Sequence, residues 1–148
     1  MKLEELVQML EAAAPWTIKR VESVFASASS LARSNNAIAI HTMGPFCYEE
    51  KLIIEEVHLR VRTNTNKMSR LIISLSEDAG RFTFDRIKSA WPDIRIDPST
   101  YPRGQSWDEK RHYQTNRPWG RLSFGFKERQ PDCLASITFI PKERVVTR

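Results

Sequence analysis

The 148 residues are 41% hydrophobic and 28% charged, enough for one domain with a real core or two small halves packed together. No apolar run is long enough to span a bilayer, and two cysteines, Cys47 and Cys133, outside any C-x-x-C pair, do not make a disulfide framework. The net charge of +5 is uneven: residues 1–80 hold nine Lys/Arg and ten Asp/Glu, whereas residues 81–148 hold fourteen and eight. A basic half can attract nucleic acid or an acidic protein, or can simply be a solvated surface.

In chain order, Leu3, Leu6, Val7 and Leu10 recur at helical spacing opposite Glu4, Glu5, Gln8 and Glu11, which predicts an amphipathic helix. No basic leader precedes it, so a cytoplasmic protein is expected. The helix should end near Ala14-Pro15, because the residue before proline is pushed out of the α region. A second helix follows Trp16-Thr17, where Thr17 is placed to cap and Trp16 to staple onto Val21. Residues 27–35 are small and polar and read as a connector. Residues 37–43 alternate as a strand, stopped by Gly44-Pro45, and residues 46–52 read as a turn or edge. Val57, Leu59 and Val61 alternate with Glu56, His58, Arg60 and Arg62, the period of a half-buried strand. A polar turn and a second strand, 71–75, complete the set.

The same order then recurs. Phe82-Thr83 repeats the capped-helix start of Trp16-Thr17 at an offset of 66 residues, with Ile87 in the staple position. Leu122, Phe124 and Phe126 match Val57, Leu59 and Val61 at an offset of 65, and residues 137–140 match the second strand at 66. This predicts an α+β fold in which a helix-plus-antiparallel-strands unit is repeated in tandem. Residues 1–78 form the first copy with an extra N-terminal helix, 79–142 the second, and 143–148 a tail. The helices should pack on one face of a curved antiparallel sheet.

The interval 97–118 breaks the pattern. Pro98, Pro102, Gly104 and Pro118 exclude a helix or central strand running throughout. The aromatic content argues against disorder, so an ordered loop across a surface is expected. The alternative is that Tyr101 and Trp107 plug the end of the core.

Chemistry-bearing motifs are scarce. His41, His58 and His112 have no metal-ligand spacing, the five glycines form no phosphate loop, and no Ser or Cys sits in a nucleophile elbow. A protein that is no enzyme and carries no cofactor or metal is expected. Aromatics interleaved with Arg and Lys between 95 and 129 suit either a protein–protein hot spot or a single-stranded nucleic-acid surface. The acids Asp97, Asp108, Glu109, Glu128 and Asp132 fit a protein partner better.

The duplicated plan resembles that of β-lactamase inhibitor proteins, and of small outer-membrane assembly lipoproteins with a helix pair and a three-stranded sheet. The stretches Arg103-Gly104-Gln105-Ser106-Trp107-Asp108-Glu109, Pro118-Trp119-Gly120-Arg121-Leu122-Ser123-Phe124-Gly125-Phe126-Lys127 and Asp132-Cys133-Leu134-Ala135-Ser136 resemble small cytoplasmic immunity proteins of bacterial competition, encoded beside secreted toxins of contact-dependent, Rhs or type VI systems. The resemblance implies a stoichiometric antitoxin that occludes its toxin's active site. Inhibitors of basic nucleases are commonly acidic, so this basic chain implies a toxin that presents acids, or contact through the acidic residues of 49–56. The expected partner-binding residues are Tyr101, Arg103, Trp107, Asp108, Arg111, Tyr113, Arg117 and Trp119, on the loop and the outer face of the sheet. A small nucleic-acid-binding protein using the same basic half is the second expectation.

Overall fold

The computed structural model describes residues 1–65, 67–100, 110–127 and 130–142. Helix α1 (Leu3–Ala12) and α2 (Ile18–Phe25) open the chain, and α3 (Phe84–Ala90) follows five strands. Those strands are β1 (Ser30–Ser34), β2 (Ile38–Met43), β3 (Phe46–Tyr48), β4 (Leu52–Arg62) and β5 (Met68–Leu75). After α3 come β6 (Arg95–Ile96), β7 (Lys110–Arg117), β8 (Gly120–Lys127) and β9 (Leu134–Pro141). All nine strands belong to one curved, open antiparallel sheet of order β1-β2-β4-β5-β9-β8-β7-β6, with β3 paired to the start of β4. The two halves of the chain therefore each run inward from an outer edge and meet where β5 pairs with β9.

Both helix starts form as the hydroxyls require. Thr17 Oγ1 accepts the Arg20 N–H and Thr83 Oγ1 the Arg86 N–H, each at 3.2 Å. These caps satisfy N–H groups that the first helical turn leaves open. Asp132 helps the second start, accepting the Phe84 N–H at 3.2 Å and the Arg81 guanidinium at 2.7 Å.

Strand register assembles the core. On the helix side, Met43, Val57, Ile73, Ile137 and Phe124 are successive cross-strand partners, and Leu59, Leu71, Phe139 and Leu122 form a second row. Leu3, Leu6, Val7 and Leu10 of α1 are fully buried in the same cluster. Polar clasps fix α1 against the second half. Arg86 makes a bidentate pair with Glu4, at 2.9 Å for both bonds, and also reaches Glu50 at 2.6 Å. At the other end of α1, Glu11 Oε2 accepts from Arg117 Nε at 2.8 Å and Trp119 Nε1 at 2.9 Å.

Two sequence expectations are corrected. Residues 30–34, expected as connector, are edge strand β1; all five are exposed, so nothing imposes an alternating pattern on them. Residues 110–117, expected as loop, are β7, paired to β8 along its full length. Its only large hydrophobe is Tyr113, so the apolar period that betrays a strand is missing, and Pro118 stands just outside it.

Candidate partner-binding site

Strand parity that sends apolar side chains to the helices sends a second set to the opposite face of the sheet, which no helix among the described residues covers and which is called the uncovered face below. One cross-strand row on that face holds Arg33, Ile40, Arg60 and Arg70 on β1, β2, β4 and β5. It continues through Ile140, Arg121 and Asn116 on β9, β8 and β7. Ile38 and Arg62 pair beside it. Here the sheet is hollowed into a trough of about 850 Å³ across the ends of six strands. Among the described residues the trough is lined by Arg60, Arg62, Arg70, Arg117, Arg121 and Lys142 with no carboxylate, over half-buried Ile38 and Ile140. Gly120 permits the tight β8 start at its floor: φ is +149°, and a Cβ there would collide with the Ile140 carbonyl.

Two directly opposed pairs on this face carry like charge, Arg60 with Arg70 and Lys110 with Lys127. Such pairs are destabilising by roughly 0.2–1 kcal/mol each. Among the described residues, neither Arg60 nor Arg70 has an ion-pair partner. The positive field extends to the far end of the face. Burial, with the Lys127 ammonium, pushes the Lys110 amine below its ordinary range. Burial, then Lys110, and more weakly Arg70, push the His112 imidazole down, against a smaller opposing pull from Asp97. Gly125 makes room for both side chains: a Cβ there would lie 3.0 Å from the His112 ring and 3.3 Å from the Lys110 stem. Below them lie buried Ser123, Ser136 and Thr138; Ser123 Oγ is 3.3 Å from His112 Nδ1.

Carboxylates concentrate elsewhere: Glu4, Glu11, Glu50 and Asp132 are engaged on the helix side. Glu56 stands on the uncovered face at the end away from the trough, 3.7 Å from His58. Among the described residues, every Trp, Phe and Tyr packs into or against the helix-side core. Among the described residues, the uncovered face therefore carries mainly cations, hydroxyls and isoleucines, with no Trp, Phe or Tyr.

Of the residues expected from sequence to bind a partner, Tyr101, Arg103, Trp107 and Asp108 lie outside the described residues. Arg111 pairs across the ladder with buried Phe126, on the helix side of β7. Tyr113, on the same side, packs on Phe84 at 4.7 Å and Phe126 at 5.8 Å between ring centroids. Trp119 sits edge-on to Trp16 at 4.8 Å, with its indole N–H on Glu11. Arg117 shares that carboxylate and reaches the trough rim. These four are thus engaged within the fold, and only Arg117 meets the trough.

Arg60, Arg70 and Arg121 were not singled out from sequence. Their signal was parity: Arg60 and Arg62 occupy the polar positions that alternate with Leu59 and Val61, and Arg70 precedes the apolar run of β5. Among the described residues, no group of three His, Cys, Asp or Glu side chains is placed to hold a metal ion, and no helix is long and apolar enough to cross a membrane. The chain matches no protein-family model, and neither curated proteins nor solved structures give a significant match.

Proposed function

We propose that this protein is a stoichiometric inhibitor of the immunity type, which blocks a cognate toxin by laying the uncovered sheet face over it. The observation that carries this reading is the make-up of that face: arginines interleaved with isoleucines, without an aromatic among the described residues. Arginine is enriched at the energetic centres of protein interfaces, where its flat guanidinium matches carboxylates bidentately. A single-stranded nucleic-acid surface of this size relies on aromatic stacking platforms, and on this face the described residues supply none. The helix layer supports a steric mechanism, because it holds the sheet from behind and leaves a preformed surface with little ordering cost on binding.

The layout supports the same reading through what the two halves have in common. Each half opens its sheet segment after a threonine-capped helix, and the halves meet strand to strand at β5 and β9. Joining two small sheets this way yields one broad surface.

Affinity capture from the native host at moderate salt, with and without nuclease, tests the proposal. The expected result is one stoichiometric protein that survives nuclease, arrests growth when expressed alone, and is neutralised by co-expression of this chain. Recovery of nucleic acid, with binding that falls steeply as salt rises, overturns it in favour of the nucleic-acid reading.

A further inference from the structure

The hollowed end of the sheet has a more specific chemistry than a broad docking face requires. We propose that the trough is the seat of an acidic protein segment, a loop or extended stretch of the partner that bears several carboxylates beside aliphatic side chains. This rests on the inhibitor reading above and names the chemistry that the partner presents.

Charge complementarity is the first argument. Among the described residues, six cations and no carboxylate line the trough. Arg60 and Arg70 are held side by side on adjacent strands, a cost in the free protein that vanishes when a carboxylate is placed between them. The floor is the second argument. Ile38 and Ile140 are half-buried between the arginines, and they offer apolar contact that aliphatic side chains use and a sugar–phosphate backbone does not.

Dimensions are the third argument. The row from Arg33 to Asn116 crosses seven strands. Six spacings of about 4.8 Å give roughly 29 Å, the length of about nine extended residues at ~3.3 Å each. A stretch of that length can meet Arg60, Arg70 and Arg121 together, and the Ile140 contact falls between the last two.

The test uses the purified full chain and four probes of matched length. They are a nine-residue peptide of alternating Glu and Leu, its Gln/Leu counterpart, and single- and double-stranded DNA oligonucleotides. Binding is followed by titration calorimetry and by amide chemical shifts. The expected result is saturable binding of the acidic peptide, with shifts grouped at residues 38, 60, 70, 121 and 140, and no binding of the Gln version. Arg60→Glu with Arg70→Glu should weaken the acidic peptide by roughly 30-fold, the equivalent of one hot-spot arginine. The milder Arg60→Gln with Arg70→Gln should weaken it by about tenfold and serves if the reversal perturbs folding. No binding of the acidic peptide, shifts that map elsewhere, or tighter binding of either oligonucleotide overturns the proposal. A captured toxin that both double variants neutralise as well as the wild type overturns the trough while leaving the inhibitor reading standing. Acidic-peptide binding in the trough when no toxin is captured supports the trough and leaves only the inhibitor reading to fail.

Discussion

The two faces of one sheet are built on opposite terms. The helix side collects the aromatics and closes its charges in pairs: Arg86 between Glu4 and Glu50, and Arg117 with Trp119 on Glu11. The uncovered side sets cation against cation, Arg60 beside Arg70 and Lys110 beside Lys127, although Lys127 also reaches Glu77 at 4.0 Å. The same strands supply both, because alternate residues of a strand serve alternate faces. Substitutions on the first face should therefore cost stability, whereas those on the second should cost binding and little else.

The largest expected effect is at the centre of the helix side. Phe124 is fully buried and packs on Trp91 at 4.7 Å between centroids. Phe124→Ala should destabilise by about 3–5 kcal/mol, from lost burial and the cavity left behind, measured by chemical denaturation. A cost below about 1 kcal/mol would mean that the aromatic layer is not the core described here. Next is Glu11→Ala, which strands the Arg117 and Trp119 donors together and should cost about 1–3 kcal/mol. Each cap variant, Thr17→Ala and Thr83→Ala, should cost about 1 kcal/mol. Equal losses at the two caps would sharpen the likeness between the halves; a loss at one alone would break it. On the uncovered face, Arg60→Gln with Arg70→Gln should leave stability within about 0.5 kcal/mol of the parent, or raise it by relieving repulsion. A large loss there would show that the arginines support the fold, and the contrast between the faces would fail.

The sequence made one face more legible than the other. The capped helices and strands β4, β5, β8 and β9 announced themselves because burial writes a period into the chain: Leu59 and Val61, Leu71 and Ile73, Phe124 and Phe126. Strands β1 and β7 wrote none, since all five residues of β1 are exposed and β7 turns Arg111, Thr115 and Arg117 as well as Tyr113 towards the helices. The site was obscured by a different effect. Aromatics interleaved with arginines drew attention to Tyr113 and Trp119, whose rings the fold uses for its own packing. Net charge by half hid the trough: residues 1–80 are slightly acidic in sum, yet they contribute Arg60, Arg62 and Arg70. Glu4, Glu11 and Glu50 go to the helix side and Glu56 to the end away from the trough, and only register across the β4, β5, β9 and β8 ladders brings those arginines towards Arg121.

The smallest expected effect concerns pH, and it separates the faces by where titration begins. His112 lies half-buried on the uncovered side. Burial holds its imidazole below the ordinary 6.5, aided by Lys110 and Arg70 and opposed by Asp97. The unfolded chain therefore takes up this proton near pH 6.5 while the native protein does not, so the native state loses stability as pH falls from about 6.5 towards the depressed value. On the helix side, the hydrogen bond from Arg86 holds Glu4 below its ordinary 4.5, and that contribution is retained until the pH drops below about 4.5. Denaturation at pH 7.5 and 5.5 should show a modest loss at the lower pH for the parent and a smaller one for His112→Gln. Glu4→Gln should leave that interval unchanged and flatten only the more acidic limb. If Glu4→Gln instead removes the loss between 7.5 and 5.5, the uncovered face does not carry the first titration. Burial of His112, the main cause of its lowered value, would then not be the source of the loss.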